Sequence, residues 1–155
     1  MSQIWHIHAG GIGLRLLLSV VFGGAIGLER GWRNRDAGFR THILVCMGSA
    51  LFMMISIFGF GDQHVDASTH PVDPLVEPNL LADPSRLAAQ VISGVGFLGA
   101  GMIMQNGKTV FGLSTAASIW VVAAIGLCMG AGFFFCGVTA ACLVLIVQMI
   151  FSVKG

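Results

Sequence analysis

A glycine pattern associated with cofactor chemistry lies at residues 94–99. Gly94, Gly96 and Gly99 form G-x-G-x-x-G, which in dinucleotide-binding proteins lets the backbone approach a pyrophosphate closely. That fingerprint follows a strand, opens a helix and precedes an acidic residue by about 20 positions. Here the glycines lie inside an apolar run from 87 to 104, and the region near 119 contains no acid. The context argues against a nucleotide site, and we expect no cofactor.

Six charged residues near the ends of apolar segments are further candidates for chemistry. They are Arg15, Glu29, Arg30, Arg40, Asp83 and Arg86. They include no nucleophile with a base and no pair of catalytic carboxylates, so we predict that the chain is not an enzyme. A cation inside a membrane span is costly. Arg15 therefore either extends its guanidinium to the membrane surface or pairs with a carboxylate such as Asp83.

The other charged residues also allow two interpretations each. Asp83 and Pro84 suit the start of a helix, where Asp83 would be the N-cap. Alternatively, Asp83 and Arg86 form a charged cluster with Arg15 at the membrane edge. The arginines after residue 29 either anchor the topology at the interface, or Glu29 pairs with Arg40 across a helix hairpin and builds an anion or partner site.

A long acidic segment could hold a divalent cation through oxygen and imidazole ligands. Its acids and histidines include Asp62, His64, Asp66, His70 and Asp73. Their spacing matches no known metal-binding loop, and such segments are usually only solvated, so we predict no metal site. The cysteines lie in apolar runs without C-x-x-C spacing, which indicates neither zinc nor a disulfide framework.

These residues must be positioned by membrane helices. The 155 residues are 55% hydrophobic and 10% charged, whereas a soluble domain is about 25% charged. Since a bilayer core requires about 20 mostly apolar residues per helix, we predict a single domain, 1–155, that is an all-α polytopic membrane bundle of about five helices. The predicted spans are about 10–28, 42–60, 87–104, 110–130 and 133–151.

Basic residues set the predicted orientation. In a five-span arrangement one side of the membrane receives Arg30, Arg33, Arg35, Arg40, Lys108 and Lys154. The positive-inside rule places that side in the cytoplasm. The N-terminus is then outside and the C-terminus is cytoplasmic, and the acidic segment 61–86 is an outer loop.

Small residues predict where helices approach one another, because packing rather than the hydrophobic effect holds helices together in lipid. Gly23 and Gly27 form a GxxxG motif in span 1, and Gly126 and Gly130 form another that closes span 4. Span 3 has Gly94 and Gly101 on one face and Gly96 and Gly99 on roughly the opposite face, so we expect it in the middle of the bundle. Alternatively, irregular backbone at 94–101 lines a polar cavity. Hydroxyl groups open span 4 and could bond across helices: Ser114, Thr115 and Ser118.

Three long segments resemble the MgtC/SapB family of bacterial inner-membrane proteins. They are GGAIGLERGWRNRDAGFRTHILVCMGSALF (23–52), DPSRLAAQVISGVGFLGAGMIM (83–104) and GLSTAASIWVVAAIGLCMGAG (112–132). The resemblance implies a five-helix hydrophobic domain, a role in adaptation to low magnesium and, in some members, virulence. The family's motif residues fall here on Glu29, Arg30, Arg40, Asp83 and Arg86. Many members continue into a soluble domain, and we expect only the transmembrane domain in this sequence.

The resemblance leaves the function open between three classes. We favour a regulator of other membrane proteins or of membrane energetics, including ATP synthase. The alternative is a transporter or channel for Mg²⁺ or another ion, possible as an oligomer, although no acid lies in a span core and Mg²⁺ prefers oxygen ligands. A structural assembly subunit is the third class. The expected partners are the lipid bilayer and another membrane protein or a second copy, and no nucleic acid.

Overall fold

The computed structural model describes residues 9–59 and 83–151. Within these two ranges, five helices form a bundle: α1 (Ala9–Trp32), α2 (Phe39–Phe58), α3 (Pro84–Gly101), α4 (Leu113–Ala131) and α5 (Phe134–Phe151). A short hairpin of β1 (Met104–Asn106) and β2 (Thr109–Phe111) joins α3 to α4. The predicted all-α fold class is confirmed. Most of the acidic segment, including Asp62, His64, Asp66, His70 and Asp73, lies outside the described residues.

The lengths and composition of the helices suit a lipid bilayer. Helices α1, α2 and α4 are each long and apolar enough to cross a membrane, and α5 is a shorter apolar helix. Each predicted span overlaps one helix, but predicted spans 3 and 4 extend beyond their helices at the two ends that the hairpin joins. Helix α3 ends at Gly101 rather than 104, and α4 begins at Leu113 rather than 110.

The hairpin explains this correction. Its strands pair antiparallel with Met104 opposite Phe111 and Asn106 opposite Thr109. The connecting residues begin with Gly107, whose φ is +61°. Asn-Gly between short apolar stretches is a strong local signal for a hairpin turn, and it interrupts the apolar run that sequence hydropathy assigns to the two spans.

Helix α4, rather than α3, is the central helix of the bundle. It contacts all four other helices, whereas α3 contacts mainly α2 and α4, so the prediction that span 3 lies in the middle is wrong. Helix α2 crosses α4 closely because Gly126 and Gly130 have no side chain. A Cβ on Gly126 would overlap the Cys46 carbonyl oxygen, and one on Gly130 would overlap that of Ala50.

The second close crossing joins α1 to α2 at the GxxxG motif of α1. A Cβ on Gly23 would lie 2.7 Å from the Cys46 Cβ, and one on Gly27 would lie 2.8 Å from the Phe39 Cα. Both distances are shorter than real contacts allow, so only glycine permits this crossing. The buried core of Ile26, Val122 and their neighbours packs beside it.

The glycines of α3 behave differently from the prediction. A Cβ on Gly94, Gly96 or Gly101 would meet no atom within 4 Å in the described part of the chain, whereas one on Gly99 would lie 3.5 Å from the Ala116 Cβ. Only Gly99 therefore packs closely against a neighbouring helix of the same chain. The backbone from 94 to 101 is regular helix, so the alternative of an irregular, cavity-lining segment is also wrong.

Candidate functional site

A buried ionic cluster lies at the end of the bundle where α1 finishes. Glu29 is only 6% exposed. Its Oε1 accepts a hydrogen bond from Arg33 Nε at 2.6 Å, and its Oε2 lies 3.8 Å from Arg30 Nε. The sequence placed Glu29 at the edge of span 1, but α1 continues to Trp32, and the carboxylate therefore lies inside the bundle rather than at its edge.

Two more helices contribute to this cluster. In the amide orientation that satisfies both of its polar atoms, Gln148 of α5 donates to Glu29 Oε2 at 3.1 Å and accepts from Arg30 Nη2 and Nε, each at 3.1 Å. Arg30 Nη1 also donates to Ser114 Oγ of α4 at 3.4 Å. We call Glu29, Arg30, Arg33, Ser114 and Gln148 the inner polar cluster. Gln148 was missed from the sequence, although an amide in an otherwise apolar helix is a signal for a buried partner.

The predicted ion pair between Glu29 and Arg40 is wrong. Arg33 lies four residues after Glu29, in the turn that follows α1, so its side chain reaches the carboxylate without crossing to another helix. Arg40 is exposed at the start of α2. The cluster therefore carries two cations for one anion, and both cations come from the end of α1 and the turn that follows it.

A second polar network lies beside the cluster, between α2 and α4. His42 is fully buried. Its Nδ1 lies 2.9 Å from the Gly38 carbonyl oxygen, which can only accept, so Nδ1 carries a hydrogen. Its Nε2 lies 3.1 Å from Ser118 Oγ, which also lies 2.8 Å from the Thr115 carbonyl oxygen, and the single hydroxyl hydrogen can be donated to only one of these two acceptors at a time. Sequence reasoning missed His42 because a lone histidine near a helix start gives no indication of its partner.

The opposite end of the bundle holds Arg15. Its Nη1 donates to the Gly130 carbonyl oxygen at 2.5 Å, and its guanidinium lies 5.3 Å from the Phe58 ring centre and 5.9 Å from that of Phe134. The guanidinium satisfies a carbonyl at the end of α4 and stacks on aromatic rings. The pair of Arg15 with Asp83 is therefore wrong, whereas the surface-directed side chain stays a prediction: the guanidinium contacts residues at the ends of α2, α4 and α5.

Asp83 is the N-cap of α3. Its carboxylate accepts from the Ser85 backbone N–H at 2.9 Å and from the Ser85 hydroxyl at 2.9 Å. These hydrogen bonds lower the pKa of the exposed Asp83 carboxyl. Arg86 is exposed. Because Arg15 is bound to Gly130, the predicted cluster of Arg15, Asp83 and Arg86 does not form among the described residues.

The remaining predicted residues add no catalytic or metal-binding arrangement. Ser114 is exposed and Thr115 is buried, and both lie in the first turn of α4. Within residues 9–59 and 83–151, no three histidine, cysteine or acidic side chains converge as metal ligands would. The described site can hold helices together and present positive charge at one end.

Comparison with known proteins places the chain in a family. The model of the MgtC family matches residues 16–154. The chain belongs to the MgtC family. A family member from Escherichia coli strain K12, named "Putative magnesium transporter YhiD", is 45% identical over 138 residues, which cover 89% of this chain and 59% of YhiD. No solved structure matches the chain.

Two more relatives show how far the similarity extends. The protein named MgtC from Salmonella typhimurium strain 14028s is 40% identical over 132 residues, covering 85% of this chain and 48% of that protein. The Synechocystis protein slr0014 is 38% identical over 136 residues and is covered to 50%. The chain thus spans about half to three-fifths of the length of these MgtC-family relatives. It is a multi-pass membrane protein of the family.

Proposed function

We propose that this chain is a non-enzymatic regulator of other membrane proteins, linked to magnesium homeostasis in the bacterial inner membrane. The observation that carries the proposal is the state of Glu29, the buried acid of the described residues. Its carboxylate is bound by Arg30 and Arg33. The magnesium link rests on the names of the relatives YhiD and MgtC.

The charge of the inner polar cluster favours regulation over cation transport. A path for Mg²⁺ needs oxygen ligands that are free to replace its water. The Glu29 carboxylate already pairs with Arg30 and Arg33, so it is not free to replace a water molecule of Mg²⁺. Such a cluster suits a rigid scaffold that fixes α1, α4 and α5.

Helix α3 offers the surface for a partner helix. Ala89, Ser93, Gly96 and Ala100 lie on one side of α3 and are all exposed; we call them the α3 small-residue face. A Cβ on Gly96 would meet nothing within 4 Å in the described chain. Small residues that let backbones approach closely favour helix association in membranes. This face suits a transmembrane helix of another protein.

Transport of Mg²⁺ is the second candidate, and the name of YhiD favours it. The decisive experiment is Mg²⁺ uptake into proteoliposomes that contain the purified chain, measured with an internal Mg²⁺-sensitive dye. We expect uptake equal to that of empty liposomes, because the described residues provide no free acid between the membrane surfaces. An Asp83→Ala variant is the matched control, since it removes an exposed acid without touching the inner polar cluster.

Saturable uptake by the unmodified chain above that of empty liposomes would establish transport and reject the regulator, and its loss or persistence in Asp83→Ala would show whether that acid takes part. Uptake equal to that of empty vesicles, from protein whose helical content is intact, would support the regulator. A leak through the vesicle membrane is distinguished from transport because the rate of a leak does not saturate as external Mg²⁺ rises.

A further inference from the structure

A groove of about 500 Å³ separates α2 from α3. Gly48 of α2 and Gly94 of α3 line it, and a Cβ on either would meet no atom within 4 Å in the described chain. The other walls are mainly apolar, and the groove extends along α3 from Leu87 to Leu98. It lies on a different side of α3 from the α3 small-residue face. The groove is therefore open space within a membrane helix bundle.

The length and volume of the groove suit a long, narrow ligand. The 11 steps from Leu87 to Leu98 correspond to roughly 16 Å along the helix axis. A groove of about 500 Å³ over that length is long and narrow, and it fits the extended shape of one acyl chain better than a second helix about 10 Å in diameter. Its length is close to that of one leaflet, about half of a hydrocarbon core of roughly 30 Å, which is the reach of one lipid acyl chain.

The end of the groove nearest the start of α3 is polar and cationic. Gln90 lines the groove, is exposed, and has no hydrogen bond to any other residue of the described ranges. Arg86 lies one turn earlier, four residues before Gln90, and is also exposed. Since α3 begins at Pro84, Arg86 lies in its first turn, where a helix that enters the bilayer meets the lipid headgroups. The nearby Asp83 carboxylate is engaged by Ser85.

We propose that this groove is a binding site for one anionic phospholipid of the leaflet around the first half of α3. One acyl chain lies between α2 and α3 along Gly48 and Gly94. The phosphate pairs with Arg86, because basic residues between membrane helices recognise anionic headgroups. The Gln90 amide donates to the ester oxygens below the phosphate. The site does not depend on the regulator proposal, and either can fail without the other.

The test is photocrosslinking of the purified full chain in phosphatidylcholine nanodiscs that contain a small fraction of phosphatidylglycerol with a diazirine in its acyl chain. Crosslinked peptides are mapped by mass spectrometry. We expect labelling concentrated on α2 and α3 at the groove. Gly94→Leu and Gly48→Leu fill the groove and should each reduce this labelling several-fold. Gly96→Leu is the matched control, since it adds the same side chain outside the groove.

The headgroup is tested with Arg86→Gln. We expect the preference for phosphatidylglycerol over a phosphatidylcholine probe with the same diazirine to fall about fivefold, the factor that one basic residue near an anionic surface typically contributes. An unchanged preference would reject the phosphate contact and with it the proposed site.

Other outcomes would also overturn the site. Labelling spread evenly over α1, α3 and α5 would mean that only surrounding bulk lipid is present. Crosslinks between two chains at the groove would show a protein occupant. Groove labelling that persists in a folded Gly94→Leu or Gly48→Leu variant, or failure of both variants to fold, would contradict the open space on which the proposal rests.

Discussion

At the scale of single residues, the inner polar cluster is the feature whose loss costs most. Glu29 and Arg30 are nearly inaccessible to solvent, with side-chain exposures of 8% and 11%. Removing two charges from water is costly, and their attraction offsets that cost only when the remaining hydrogen-bonding positions are filled. Gln148 and Ser114 fill positions on Glu29 and Arg30. The cluster is therefore stable as a unit and weak when one member is removed.

We predict that Glu29→Gln lowers the free energy of unfolding by about 3 kcal/mol, because it leaves a buried arginine without its counter-ion. The effect stays near the lower end of the range for such pairs, since the Arg33 side chain is 35% exposed and can be solvated. The measurement is a denaturant titration in mixed micelles, followed by circular dichroism.

Asp36→Asn is the control for this prediction. It removes one acidic charge from the loop after α1, where Asp36 is exposed, and should change the unfolding free energy by less than about 0.5 kcal/mol. Equal effects of the two substitutions would mean that the buried pair contributes no more than a surface charge.

At the scale of helices, the same residue type has opposite roles on α4 and α3. Gly126 lies where a Cβ would overlap the backbone of α2, whereas Gly96 faces open space in the described chain. Both stand in runs of small residues that look alike in sequence. We predict that the first is required for folding of the chain, and we propose that the second contacts a helix of another protein.

We predict that Gly126→Leu abolishes accumulation of folded protein, because backbone atoms of α2 cannot move away as a flexible side chain could. Overpacking typically costs 1–3 kcal/mol, and backbone overlap places this variant at or above that range. The measurement is the amount of protein in washed membranes together with its elution volume in detergent.

Gly96→Leu is the matched variant and carries the regulator proposal. We expect normal accumulation and normal elution, but failure to complement a strain that lacks this chain, because the α3 small-residue face is blocked. Poor accumulation of Gly96→Leu would show that this position contributes to folding. Full complementation would reject the face as a partner surface.

At the scale of the whole molecule, most basic residues of the described ranges lie at one end of the bundle. Arg30, Arg33 and Arg35 follow one another at the end of α1, Arg40 opens α2, and Lys108 lies in the hairpin between α3 and α4. The contacts of Arg30 with Ser114 and of Gln148 with Glu29 place the end of α1, the start of α4 and the end of α5 at the same end of the bundle. From the positive-inside rule we predict that this end faces the cytoplasm.

We predict that a membrane-impermeant maleimide added to intact cells labels a Ser85→Cys variant and leaves a Lys108→Cys variant unlabelled, and that inverted vesicles reverse the result. The unmodified chain is the blank, because its cysteines Cys46, Cys128, Cys136 and Cys142 lie in membrane helices. Labelling of Lys108→Cys in intact cells would reverse the proposed orientation.

The sequence by itself determined the environment, the number of helices and the family. Apolar runs of about 20 residues can be satisfied only in a bilayer, where a helix bonds all of its own backbone groups. Local spacing offered the Asp83 cap as one of two interpretations, because a cap depends only on residues a few positions away. The GxxxG spacing of Gly23 and Gly27 predicted close packing, because that packing depends on a single adjacent helix.

Only the tertiary structure decided which helix is central, which glycines touch a neighbour and which partner Glu29 takes. Helical periodicity fixes which residues share a face, but in lipid an apolar face is equally suited to a helix or to an acyl chain. The sequence therefore could not distinguish the packed Gly126 from the open Gly94 and Gly96. The same reason hid Gln148 and His42, because their partners lie on other helices: Glu29 and Arg30 of α1 for Gln148, and Ser118 of α4 for His42.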